Sequence, residues 1–378
     1  MSVPAEKQIR FHYIDGFRAI ASFMIVLHHS VSANVARFLG AHGLPYLGDF
    51  LWNLTGSGVN LFFVISGLVL LRPYLRGERA FSSLTYFKKR FIRIYPTYFV
   101  ALIFGAAVIW FLNNYPTWYN EKGIHVYFSV KETLREAYLL NLDGVYFNLA
   151  WWSVQVEAFF YILVPLLIFI FPSRSKLDNK GLFLLIVGTM IGNLAMQFFF
   201  DRYFPMVYSF EHIVLNIGRI IDYPICFLMG MLLAARDFNK QHAYVFMVFG
   251  AILFFLHGFY LPIMHSGYGL FYGGVLILVF HSDKVKAFLS KPLFLWVGER
   301  SYSLFLVHLS VFYLSDNLAA YFTPHRGLVY ALLTRGVGIP LAFLASMALF
   351  QLVERHFARG LVTDKMIWPW QVSKLRKG

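Results

Sequence analysis

The sequence predicts an all-α polytopic membrane protein with about ten transmembrane helices and both termini in the cytoplasm. Three observations carry that expectation. The first is composition: 58% of the 378 residues are apolar, and only 14% are charged. With a mean hydropathy of +0.60, the chain has too little polar surface for a water-soluble fold. The second is length. Ten apolar segments lie at about 16–35, 51–71, 95–113, 149–172, 181–200, 213–235, 242–258, 266–281, 294–314 and 329–351. Each is near the ~20 residues that cross a bilayer, the seventh and eighth being short. The third is charge placement. With the N-terminus inside, the inner connections hold 23 Lys and Arg and the outer loops 6, as the positive-inside rule requires. The net charge of +14 is then topological, and nucleic acid is not needed to explain it. The single cysteine, Cys226, allows no internal disulfide and matches no metal-ligand spacing. No metal is expected, and no cleavable signal peptide is evident in the polar first 13 residues.

The first segment carries ionisable groups where a lipid-facing helix would carry leucine. It reads IDGFRAIASFMIVLHHS over residues 14–30. Intramembrane charges are costly and face a bundle interior or a wet cavity. Arg18 and His29 are 11 residues apart, which at 100° per residue places them on one helix face, ~16 Å apart along the axis. His28 points elsewhere. Asp15 sits one turn before Arg18 and can neutralise it at the membrane edge. The second segment, TGSGVNLFFVISG, brings Asn60 and three glycines, Gly56, Gly58 and Gly67, which permit close helix approach or a bend.

The third segment is preceded by FKKRFIRIYPTY. Arg90 and Arg93 share a helical face there, with Lys89 beside them, and can grip phosphate oxygens. The alternative is an ordinary basic run at a membrane surface. A long outer loop, about 114–148, mixes aromatics with charge and is long enough for an interfacial lid. The fourth segment contains WWSVQVEAFFY with Ser153 and Glu157. Counting ~1.5 Å per residue, His29 lies ~20 Å from the inner edge, Glu157 ~12 Å from the outer edge and His308 of the ninth segment ~21 Å from the inner edge. In a hydrocarbon core of ~30 Å these levels nearly coincide. Two histidines and a glutamate at one depth suit general acid–base chemistry; the bland alternative is helix–helix hydrogen bonding. Arg219 also falls in the outer half. The tail, 358–378, combines tryptophan with basic residues, as an interfacial anchor does. No internal repeat marks an inverted-repeat transporter, and a single domain over 1–378 is expected.

Six of these stretches, in order, resemble the acyltransferase-3 family of integral membrane acyltransferases over about residues 12–357. Arg18 and His29 resemble its opening arginine–ten residues–histidine motif, and GVNLFFVISGLVL its glycine–aromatic second helix. Arg90, Arg93 and Pro96 give its R-x-x-R before proline. WWSVQVEAFFYILVP resembles its W-S-L-x-x-E stretch, with Val154 in place of leucine. GERSYSLFLVH, with Ser301, Tyr302 and His308, resembles its ninth-helix motif, and LVERHF its closing E-R-P-F, with His356 replacing proline.

The resemblance implies O-acylation of a hydroxyl on an extracytoplasmic or lipid-linked glycan. The donor is cytoplasmic acyl-CoA, most often acetyl-CoA, and the setting a bacterial inner membrane. It implies His29 as general base, oriented by Glu157, and Arg90, Arg93, Lys89 and Arg18 as holders of the donor. Asp15, Asn60, Ser153, Arg219, Ser301, Tyr302 and His308 are polar supports or substrate contacts. The expected partners are membrane lipid, the donor and a glycan or glycolipid acceptor, with self-association open. The chain resembles members without an esterase-like extracytoplasmic domain. The rival reading is a transporter or flippase for a glycan or lipid-linked intermediate, which needs a polar midplane but no R-x-x-R at the inner surface.

Overall fold

The computed structural model describes residues 12–114, 128–139, 148–171, 223–256, 261–322 and 332–358, with a few helical positions between 181 and 195. All regular structure among them is helical. Among the described residues, six helices are long and apolar enough to cross a membrane: His12–Ala41, Pro45–Leu75, Ser83–Asn114, Trp152–Ile170, Ile263–Phe280 and Thr334–Ala358. Pro224–Ala235 and Lys240–Phe255 are shorter apolar helices. The chain is an integral membrane protein. The fifth expected segment and the start of the sixth lie largely outside the described residues, as do the tail beyond 358, most of the long outer loop and Arg219.

The first expected span is longer than its apolar run and is not uniform. Helix α1 (His12–Leu27) passes into a π-helical turn, His28–Ser32, and continues as α2 (Ala33–Ala41). Ser32 Oγ donates to Leu27 O at 3.1 Å inside the widened turn. The second span is broken at its outer end. Helix α3 (Pro45–Gly56) stops at Ser57, and α4 (Gly58–Leu75) continues inward. The glycines expected to allow close approach do so. A Cβ on Gly58 would come within 2.7 Å of Ala21 O on α1, and one on Gly67 would overlap the carbonyl of Phe227. Gly67 therefore seats α4 against α8 (Pro224–Ala235), a pair locked at its inner end by Arg76 Nε donating to Ala234 O at 2.8 Å.

Helix α5 (Ser83–Asn114) runs 32 residues through Pro96. Helix α6 (Val130–Ala137) lies in the long outer loop, capped by the Ser129 side chain accepting from Glu132 N. Tyr98 OH ties it to α5 by donating to Glu136 O at 2.8 Å. Helix α7 (Trp152–Ile170) is pinned at its outer end, where Trp151 Nε1 donates to Leu306 O at 3.0 Å. Helices α9 (Lys240–Phe255) and α10 (Leu261–Phe280) pack side by side, followed by the short α11 (Asp283–Leu289).

The ninth expected span, 294–314, is two helices. Helix α12 (Pro292–Glu299) ends at Arg300, and α13 (Ser301–Phe322) begins next to it. Arg300 fills the joint: its guanidinium lies 4.5 Å from the Trp296 ring and 4.6 Å from that of Phe350. Gly298 lets α12 press directly on the Asp15 backbone of α1, where any Cβ would overlap the Asp15 carbonyl. Helix α14 (Gly338–Leu349) closes the fold between two further π-helical turns, Leu332–Val337 and Phe350–Glu354.

Two apolar clusters form the interior. One is built on α1, α4, α7, α8 and α10, around Phe63, Phe160 and Phe227. The other joins α5, α7, α13 and α14, around Tyr98, Trp151 and Phe312. Helix α7 contributes to both, and the polar site lies along their seam.

Candidate active site

A cavity of about 120 Å³ opens where the two clusters meet, with Phe63 and Leu70 of one and Ile94 and Val154 of the other in its wall. Its polar lining is Arg18 from α1, Ser66 from α4, Arg90 and Arg93 from α5, Ser153, Glu157 and Tyr161 from α7, and Ser301 and Tyr302 from α13. Seven residues expected at the site from sequence thus line one space. Three guanidinia converge on it, but they are not equivalent. Arg18 Nη1 is 3.0 Å from Asp15 Oδ1, and Arg93 Nη2 is 3.0 Å from Glu354 Oε1. Arg90 has no carboxylate partner among the described residues; its guanidinium lies 5.8 Å from the Tyr86 ring centroid, and its buried Nε has no hydrogen-bond acceptor. A buried guanidinium nitrogen left in that state is costly unless an acceptor joins it. Lys89 is not part of the lining.

The histidines form a second centre. His29, in the π-helical turn, places Nδ1 3.0 Å from Nε2 of the fully buried His308. His308 Nδ1 lies 2.8 Å from Phe305 O and 3.1 Å from Leu304 O. A carbonyl oxygen only accepts, so His308 Nδ1 carries the proton and, in the neutral ring, Nε2 is an acceptor. His29 Nδ1 must then donate to it, which leaves His29 Nε2 with a free lone pair. These tautomers are assigned from the hydrogen bonds, and together they present one base: His29 Nε2. Phe305 lines the cavity, and His308 follows one turn further along α13.

Glu157 does not meet His29. Its Oε1 accepts from Ser66 Oγ at 2.8 Å and from Tyr161 OH at 2.7 Å, within the arginine-lined cavity. Equal depth leaves azimuth open. The rotation of α7 is set by Val156, Phe160 and Val164, which pack into the first cluster. That turns Glu157 towards α4, and His308 takes the position beside His29 that sequence reasoning gave to Glu157. The expected common face of Arg18 and His29 is modified for a similar reason: the π turn shifts the phase of the helix at His28. Only Arg18 lines the cavity. His28 turns to α3, with its ring 4.0 Å from that of Trp52.

The remaining expected residues fall in place around these centres. Asp15 is buried against Arg18, Ser153 Oγ donates to Ala150 O at 3.3 Å, and Tyr302 OH donates to Ile94 O at 3.1 Å. Asn60 lies apart from the cavity, in a buried cluster with Cys226 and His265. No group of three His, Cys, Asp or Glu able to hold a metal occurs among the described residues. Sequence reasoning did not single out Glu354, Ser303 or Ser66. Their one signal was position: each falls inside a family-like motif, LVERHF, GERSYSLFLVH or GVNLFFVISG.

The model of an acyltransferase domain matches residues 11–354. The chain belongs to the acyltransferase-3 family. Among curated relatives of this family member is the O-acetyltransferase OatA of Staphylococcus aureus, 26% identical over 333 residues, covering 78% of this chain and 49% of that protein. Protein 2 in the picA locus of Rhizobium radiobacter is 33% identical over 103 residues, 26% of this chain and 45% of that protein. The chain thus spans about half the length of these relatives. No solved structure matches it.

Proposed function

We propose that this family member is a membrane O-acyltransferase. In this reading it moves an acetyl group from cytoplasmic acetyl-CoA to a hydroxyl of an extracytoplasmic or lipid-linked glycan, in a bacterial inner membrane. The observation that carries the proposal is the cavity with three guanidinia, one of them without a carboxylate partner among the described residues, together with a histidine pair whose hydrogen bonds leave a single basic nitrogen. The guanidinium of Arg90, flanked by Arg93 and Arg18, suits the phosphates of CoA. OatA of S. aureus is named an O-acetyltransferase, which favours acetyl as the group moved.

In the proposed reaction His29 Nε2 removes the proton of the acceptor hydroxyl. The oxygen attacks the thioester carbonyl, the new C–O bond forms and the C–S bond breaks. The proton held by His29 passes to the departing CoA sulfur, so the enzyme returns to its starting state. His308 keeps His29 in the required tautomer and accepts its Nδ1–H throughout. A positioned base of this kind contributes ~10²–10⁴-fold. Glu157, held by Ser66 and Tyr161, acts on the donor side of the cavity and not on the imidazole.

The test is transfer of label from acetyl-CoA carrying radioactive acetyl, in membranes with the wild-type protein or His29→Ala at matched expression. Label entering a glycan or lipid fraction only with the wild type is expected. Equal label from both would overturn the role of His29. Saturable CoA binding by the purified protein, lost in Arg90→Ala, separates the enzyme from the transporter, and its absence would favour transport.

A further inference from the structure

Glu354 belongs to the last π-helical turn, far in sequence from every cationic residue of the cavity, yet it is one of the most enclosed charges in the protein, 1% exposed. Its two oxygens are divided between two elements. Oε1 lies 3.0 Å from Arg93 Nη2 on α5, an ion pair without hydrogen-bond geometry, and Oε2 accepts a 2.6 Å hydrogen bond from Ser303 Oγ on α13. Ser303 is itself fully buried, and the neighbouring Ser301 and Tyr302 line the cavity. A carboxylate enclosed to this degree is stable only if paired and hydrogen-bonded, and both conditions are met by groups at the edge of one cavity. The arrangement leaves the other nitrogens of Arg93 for a ligand, since a guanidinium has five N–H donors and Glu354 engages one nitrogen.

We propose that Glu354 is a positioning residue for the acyl donor: it fixes the Arg93 guanidinium at the cavity wall, with Ser303 fixing Glu354 in turn. The inference rests on the reading that the cavity holds acyl-CoA. The same carboxylate joins α14 to α5 and α13 across the second apolar cluster, so the closing helix of the fold is tied to the donor side of the site. The wide π turn at Phe350–Glu354 is the local feature that delivers it, and such turns recur at functional sites.

The experiment is a double-mutant cycle on the purified full chain, with labelled acetyl-CoA as probe and the KM for donor and kcat as readouts. Glu354→Gln keeps the side-chain volume and removes the charge of the pair; it is expected to raise the donor KM about tenfold with kcat little changed, the scale at which residues of one ion-pair network couple. Arg93→Ala is expected to raise it at least as much. The double variant is expected to match Arg93→Ala alone, because a residue that acts through another adds nothing once that other is gone. Additive losses, or a Glu354→Gln donor KM equal to wild type, would overturn the positioning role. If Glu354→Gln cannot be recovered folded, Ser303→Ala, which leaves the charge pair in place, is expected to raise the donor KM by a smaller factor; no rise overturns the proposal. Failure of the underlying reading looks different: Arg90→Ala and Arg93→Ala would then leave acetyl-CoA affinity unchanged.

Discussion

A lone intramembrane histidine says little, but His29 and His308 constrain each other. The carbonyls of Leu304 and Phe305 fix the His308 tautomer, which fixes that of His29 and leaves one nitrogen for chemistry. Loss of His308 therefore differs from loss of His29. His308→Ala is expected to lower kcat by roughly tenfold or more while the donor KM holds, because it frees the base to rotate without removing it. His29→Ala removes the base. A His308→Ala enzyme with unchanged kcat, or with its loss confined to KM, would contradict the tautomer relay. The arginines are graded in the same way. Arg90 has no carboxylate partner among the described residues, whereas Arg18 is paired with Asp15. Isothermal binding of CoA is expected to weaken more in Arg90→Ala than in Arg18→Ala; the reverse order would assign the phosphates to the mouth of α1.

At the scale of elements, three departures from regular helix position the site. The π turn at His28–Ser32 re-aims the end of α1. The stop at Ser57 lets α3 fold over α2, and the joint at Arg300 starts α13 afresh, so that Ser301 and Tyr302 line the cavity and His308 lies two turns on. Each falls on a short polar stretch, HHS, TGSG or GERS, too short to divide its apolar segment, which is why the segments read as uninterrupted spans. The glycines were more legible, because absence of a side chain inside an apolar run has few uses other than close packing. Gly67→Leu is expected to force α4 away from α8 at a cost of about 1–3 kcal/mol. Thermal unfolding in detergent, compared with the same change at Gly77 in an exposed turn, would show it. Gly77 also has positive φ, so an equal fall at both would remove the packing argument for Gly67.

At the scale of the whole molecule, the bias of Lys and Arg to one side predicts the topology, and with it the side of the membrane on which the arginine-lined cavity opens. The single cysteine makes this directly testable, since Cys226 is fully buried. In a Cys226→Ser background, Val130→Cys in the outer-loop helix is expected to react with a membrane-impermeant maleimide in intact cells. Arg79→Cys, between α4 and α5, is expected to react only after permeabilisation. The opposite pattern would invert the protein and place the arginine cavity away from cytoplasmic CoA.

Class, membrane embedding and family were determined by the sequence alone, because hydrophobic length and ordered motifs are properties of the chain read in one dimension. Most residues of the candidate site were legible for the same reason: polar groups inside apolar segments are expensive and stand out. Tertiary structure alone decided which of them meet. Depth along a helix axis follows from counting residues, but azimuth follows from packing, from π turns and from the joints between helices. That is why Glu157 and His29, predicted as partners from equal depth, face different neighbours. Glu354, not singled out in the sequence, meets Arg93 because the last helix packs back across the bundle.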